Sequence, residues 1–180
     1  MILLLSKTHI CLFAYFSDLR LPSVSVRENN ILQVFKTWGP EFKIEFDITV
    51  TKFAEATEAR ITSVFSFTTK EDDESRIPSF MIDNENAQFR IDEQQIKNTL
   101  NYWTLPIDLN KKYHFEIQTS LPQIEGGPNM YTFKVLVDRE LELAKKDFIK
   151  SKKPLNAVLY ASNDLSPSFR GSLENFIVMR

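Results

Sequence analysis

Nine consecutive residues, Phe42–Val50, alternate without a slip: Phe42, Ile44, Phe46, Ile48 and Val50 are apolar, while Lys43, Glu45, Asp47 and Thr49 are polar. Successive side chains of a β-strand point to opposite faces, so one face here is wholly apolar and the other wholly polar. A helix would scatter the same apolar residues around its circumference. The stretch is therefore a strand with one buried and one wet face, and the rest of the chain must supply the opposite wall of that core.

Similar segments recur along the whole length. Residues 31–38 read as a strand stopped by Gly39-Pro40, a turn signal. Ile61–Thr69 carries Val64, Phe65 and Phe67 and is broken by the acidic run at 70–75. Residues 78–83 and 87–91 flank Asn84-Glu85-Asn86, which reads as a hairpin turn, and 100–105 ends at Pro106. Residues 113–119 alternate again, and Gly126-Gly127-Pro128-Asn129 is the most emphatic turn. Residues 131–137 and 140–143 then flank Asp138-Arg139 as a short hairpin; 155–162 and 173–179 close the chain. About ten strands between frequent turns indicate an all-β, two-sheet antiparallel sandwich. Only 92–98 and 145–150 are expected to form a helical turn, so helix is scarce. No internal repeat or linker divides the chain.

Composition agrees with one such domain. At 180 residues, 43% hydrophobic and 26% charged, the chain is too apolar for disorder and too polar for a membrane protein. Fifteen phenylalanines supply the bulky rings that suit a pleated, half-buried surface. The net charge of −2 comes from interspersed acids and bases, with no basic stripe for a phosphate backbone, so nucleic acid is not an expected partner. Lys145, Lys146, Lys150, Lys152 and Lys153 form the strongest basic cluster and read as a solvated loop in preference to an anion site. Cys11 is the lone cysteine, which excludes an intramolecular disulfide, and no Asn-x-Ser/Thr sequon is present.

Residues 1–30 stand apart from the sandwich expected over 31–180. Two apolar runs, 1–5 and 10–16, are split by Ser6-Lys7-Thr8-His9. Neither nears the ~20 residues that span a bilayer, so no transmembrane segment is expected. Three readings stay open: a weak secretion signal, a first strand over 8–16, or a truncated gene start.

From about residue 31 to 178 the order of features resembles a laminin-G-like, concanavalin-A-like module of invertebrate extracellular proteins. The matching pieces are residues 38–50, Ser63-Val64-Phe65-Ser66-Phe67, Arg76-Ile77-Pro78, Phe89-Arg90-Ile91 and 113–117, followed by 131–138, 158–162 and 171–178. The stretch 131–178 is the most specific, because hairpin, Leu-Tyr-Ala-Ser strand and Gly-Ser-Leu terminal strand come in the family's order. The resemblance implies a curved jelly roll that binds glycans or proteins, is commonly secreted, and sometimes holds calcium at the sandwich rim. Cysteine near the C-terminus, frequent in laminin-G modules, is missing, and residues 1–30 match nothing. An extracellular setting is thus the expectation, with the cytoplasm as its alternative.

Candidate chemistry is sparse. Glu45 and Asp47 share one strand face, as catalytic carboxylates of a jelly-roll glucanase must, but Thr49-Val50-Thr51 lacks the further acid of Glu-x-Asp-x-x-Glu. They read as solvent-face acids. His114 falls on the polar face with Glu116, and His9 has no acidic neighbour, so neither is an evident general base. Glycine-rich nucleotide loops are absent. Calcium needs six to eight oxygens; Asp72 and Asp73, Asp83 beside Asn84 and Asn86, and Asp164 are the candidate ligands, each also readable as part of a solvated acidic loop. Trp38, Tyr102, Trp103 and Tyr160 are the candidate sugar-stacking rings, although core packing is the favoured reading for each taken singly. Tyr102 and Trp103 are neighbours on one strand and must face opposite sides. The expected function is non-catalytic recognition of a glycan or extracellular protein. The alternatives are a structural subunit docking through a sheet face and a divergent glycoside hydrolase.

Overall fold

The computed structural model describes residues 17–26, 30–38, 41–54, 60–69, 78–94, 100–120, 130–148, 155–161 and 170–180. These form twelve strands and no helix: β1 (Ser17–Val24), β2 (Asn30–Trp38), β3 (Phe42–Val50), β4 (Ile61–Thr69), β5 (Ser79–Asp83) and β6 (Gln88–Gln94), then β7 (Leu100–Pro106), β8 (Lys112–Ser120), β9 (Met130–Val137), β10 (Glu140–Phe148), β11 (Leu155–Ala161) and β12 (Gly171–Met179). One six-stranded sheet runs β1-β12-β3-β8-β9-β10 and the other β2-β11-β4-β5-β6-β7. Every pairing is antiparallel. The chain crosses between sheets repeatedly, so its first and last strands close the same sheet. This is the jelly-roll sandwich that the alternation predicts.

The five apolar residues of β3 are all buried and its four polar ones half-exposed, as strict alternation requires. Phe46 lies at the middle of the core. Its ring stacks on Phe115 of β8 at 5.3 Å. It meets Phe65 and Phe80 of the facing sheet edge-on at 5.2 and 4.9 Å. Such offset and T-shaped contacts are the preferred aromatic geometries. The phenylalanine-rich composition is thus the material that glues sheet to sheet.

Three expectations need revision. Ser17–Val24, inside the stretch set apart before residue 31, is a strand paired with β12, with Leu19 and Leu21 packed on the core. Its pattern is hard to read because Pro22 interrupts it after only two alternations. Positions 145–148, expected as a helical turn, continue β10, since Lys145 and Lys146 pair with Phe133 and Thr132 of β9. Positions 92–94 likewise extend β6 against β7. In both cases a neighbouring strand of matching length fixed the backbone where local pattern was mute. The expected strand 8–16 lies outside the described residues.

The two predicted hairpins form. Asp138 and Arg139, both at positive φ (52° and 72°), make the two-residue turn whose twist matches its strands. In the β5–β6 turn, Asp83 Oδ1 accepts the N–H groups of Glu85 and Asn86, each at 3.1 Å, and Oδ2 accepts the Asn86 side-chain amide at 2.9 Å. Burial opposes ionisation of Asp83, yet these donors and Arg60 outweigh it and hold the carboxyl below its usual range.

Candidate functional site

β8 begins with Lys112, Tyr113 and His114. Alternation sends Tyr113 inward and the other two to the outer face of the first sheet. In the β3–β8 register, Asp47 stands opposite His114 and Glu45 opposite Glu116. On the other flank of β3, β12 places Glu174 opposite Asp47 and then bulges before Ile177. Asn175, at φ 50°, occupies that bulge and turns its amide onto Asp47.

Three side chains therefore converge on one carboxylate. Asp47 Oδ2 accepts from Asn175 Nδ2 at 2.7 Å and pairs with Lys112 Nζ at 3.1 Å, while Oδ1 lies 2.8 Å from His114 Nδ1. Lys112 also pairs with Glu174 at 3.0 Å. An ionised carboxylate only accepts, so the His114 proton sits on Nδ1 and leaves Nε2 outward as an acceptor in the neutral ring. Burial alone would raise the Asp47 pKa, but the hydrogen bonds from Asn175, His114 and Lys112 prevail and lower it. Asp47 is a hub that fixes its neighbours, and Lys112, His114 and Glu174 remain 53%, 42% and 41% exposed.

Beside it, Lys43 lies between the facing acids Glu45 and Glu116, at 2.5 and 2.8 Å. Two like charges directly opposite would repel; the lysine removes that penalty. Burial works against the Lys43 charge, yet hydrogen bonds to Glu116 and Glu45 carry its pKa upward. Glu45 and Asp47 do share a face, as the sequence requires, but each is committed to a cation.

A cleft lies at the sandwich rim, lined by residues other than the side chains of the platform. Asp138 of the β9–β10 turn accepts the His114 N–H at 2.9 Å and donates its own to the His114 carbonyl at 2.8 Å. Behind it, Leu105, Pro106 and Val137 form an apolar wall, with Asp108, Lys111, Glu140 and Glu142 around the mouth of a cleft of about 440 Å³. That volume falls within the range of small-ligand sites, roughly 300–1,000 Å³. The Tyr113 hydroxyl accepts the Asp108 N–H at 2.8 Å, and Lys111 Nζ sits 4.4 Å from the Tyr113 ring centroid, which together fix the near wall.

The aromatic candidates divide between the two sides of the second sheet. Trp38 is a correction: it is buried against Phe67, Phe42 and Phe35 at 4.4, 5.1 and 5.2 Å, so its faces are taken by core rings. Trp103 packs against the same core, edge-on to Phe115. Tyr160 and Tyr102 instead fall in one cross-strand row, Ile31–Tyr160–Ser66–Ser79–Asp92–Tyr102; the side chain of Tyr102 is outside the described residues. The middle of that row is closed, because Ser66 and Ser79 are as buried as the core, at 1% and 2%. Among the described side chains of the row, Tyr160, half-exposed, offers a ring.

The metal candidates are not brought together. Asp83 directs its oxygens into its own turn, and Asp72, Asp73 and Asp164 lie outside the described residues. Among the described residues no group of three or more His, Cys, Asp or Glu is placed to hold a metal ion. No helix among them is long and apolar enough to cross a membrane. Sequence reasoning missed Lys112, Asn175, Asp138, Glu140 and Glu142. Register between β3 and β8 would have flagged Lys112 and His114; the bulge that delivers Asn175 leaves no sequence signal.

No family model matches the chain, and no curated protein matches it in sequence. Solved structures do share the fold. A heptameric SAP-like pentraxin from Limulus polyphemus is 14% identical, covering 88% of this chain and 73% of its own, at a TM-score of 0.51. The receptor-binding domain of botulinum neurotoxin type G is 8% identical over 92% of this chain at a TM-score of 0.56, and this chain spans only 42% of its length. The alginate lyase Aly36B, solved as a double mutant with an alginate tetrasaccharide, is 12% identical over 82% of this chain and 71% of its own, at 0.51. These likenesses show that the chain has a jelly-roll sandwich fold.

Proposed function

We propose that this chain is a non-catalytic carbohydrate-binding module that holds a glycan on the polar platform centred on Asp47. The observation that carries the reading is the platform itself, a wet sheet face whose donors and acceptors are already oriented by Asp47. Sugar hydroxyls both donate and accept, and the platform offers both partners, Lys112 as donor and His114 Nε2, Glu174 and the Asn175 carbonyl as acceptors. Preorganised groups bind at lower entropic cost. An enzyme of the glycosidase kind needs a carboxyl kept protonated as its acid; Asp47 is held the other way. The alginate lyase shows that a sandwich of this class can hold an oligosaccharide, which supports the reading at the level of fold. The laminin-G-like resemblance and an extracellular setting belong to the same proposal.

A second reading, docking to a protein through the second sheet, is favoured by Ile31 and Val34, which are 54% and 53% exposed on edge strand β2. A glycan array with and without calcium separates the two. Binding of an oligosaccharide class, displaced by the free sugar, is the expected result. No glycan bound in either condition, together with a stable protein complex lost in Val34→Lys, would transfer the assignment to the second reading.

A further inference from the structure

We infer that His114 makes ligand binding on the Asp47 platform acid-sensitive: protonation of its outward Nε2 removes the acceptor that the neutral ring presents to a sugar hydroxyl. The inference rests on the glycan-binding reading above and adds the regulation of that same site.

The ring is held one way round. Asp47, opposite His114 in the β3–β8 register, accepts from Nδ1–H at 2.8 Å, so turning the ring over would cost that bond. Nε2 is therefore the nitrogen that an added proton must occupy. Charged groups face His114 from each neighbouring element. They are Asp47 from β3, Asp138 from the β9–β10 turn, where its Oδ1 accepts the His114 N–H, and Lys112 and Glu116 from β8 itself. Glu174 of β12 joins them through Lys112. Histidine is the side chain whose charge ordinarily changes between about pH 5 and 8. The ion-paired groups at the hub are driven away from that interval. Hydrogen bonds to Glu174 and Asp47 raise Lys112, the hydrogen bond from Lys112 lowers Glu174, and Asp47 is lowered despite the opposing effect of its burial. Their charges stay constant while that of the ring changes. A hydroxyl that donates to the neutral Nε2 meets a second donor after protonation, and the anchored ring cannot turn to restore the bond.

The test reads one array of neutral oligosaccharides with the full chain at both ends of the interval, about pH 5 and 8. Sugars bound at the upper pH should bind roughly three- to tenfold more weakly at the lower, the scale of one hydrogen bond. His114→Gln, whose amide does not titrate, should lose this pH dependence, whereas His9→Gln, at the other histidine, should keep it. Nitrogen NMR of the His114 ring in the parent chain gives a readout free of glycan. Nδ1 should carry the proton at the upper pH, and Nε2 should gain one at the lower. By linkage, a bound oligosaccharide should make that proton harder to add by the same factor as acid weakens binding. Equal array signals at both pH values, or a pH dependence that survives in His114→Gln, would overturn the inference and leave glycan binding standing. So would a proton on Nε2 at the upper pH. An array empty at both values would remove the functional reading itself, and the inference with it.

Discussion

Phe46→Ala should destabilise the fold by about 3–5 kcal/mol, the usual cost of emptying a fully buried phenylalanine site. For a chain of this size that is a fall in Tm of roughly 6–20 °C. The large figure follows from position. Phe46 is fully buried, and the rings it touches come from both sheets: Phe115 and Phe176 on its own side, Phe65 and Phe80 on the other. The neighbouring rings are tied to their own strands and cannot all collapse into the space, so the cavity persists. Leu141→Ala, at a site 58% exposed, should change stability by less than about 0.5 kcal/mol and serves as the control. Denaturant titration of both variants checks the contrast. A cost below about 1 kcal/mol at Phe46 would mean that the two sheets do not share this core.

Asp47→Asn should damage stability and site together. The asparagine keeps one carbonyl acceptor where the carboxylate had two oxygens facing Asn175, His114 and Lys112. Because the released donors on Lys112, His114 and Asn175 are open to water, the loss should cost about 0.5–1.5 kcal/mol. The pH dependence has a definite sign. The folded-state pKa of Asp47 lies below its ordinary value of 3.8, so the unfolded chain binds the proton more readily. Stability from this group is present in full above the unfolded value and is lost as pH falls through the folded one. The variant lacks that dependence, so its acid limb should be flatter than that of the parent chain. Lys43, raised above 10.5, behaves oppositely: its contribution is present below 10.5 and fades as pH rises through the folded value. With His114 and Asn175 released, glycan affinity should also fall by about tenfold or more, the penalty of ~1.4 kcal/mol for a loosened platform. Equal acid limbs in the two proteins would contradict the hub role of Asp47.

Much of the architecture was legible because alternation is a local property. Phe42–Val50 announces its buried face in nine letters, and β8 does so in the same way. β1 was not legible because Pro22 cuts its pattern short, and its place is set by β12, about 150 residues later in the chain. The site was legible only in parts. Glu45 and Asp47 on one face, and His114 with Glu116 on another, both follow from period two, but that the faces are the same one depends on β3 and β8 being neighbours. Which tryptophan is core is equally a matter of register: Trp38 looks like a platform until Phe67 and Phe42 are found against it. The Asn175 bulge and the meeting of the β7–β8 loop with the β9–β10 hairpin are tertiary facts with no one-dimensional signature.

The central claim, that a glycan sits on the Asp47 platform, is tested most directly by mapping backbone amide shifts during titration with an oligosaccharide bound on the glycan array. Saturating shifts should appear at Lys112 to His114, Glu174 and Asn175, and weaken in Asp47→Asn. Shifts confined to β4, β5 and β11 of the other sheet, or none at any sugar concentration, would contradict it.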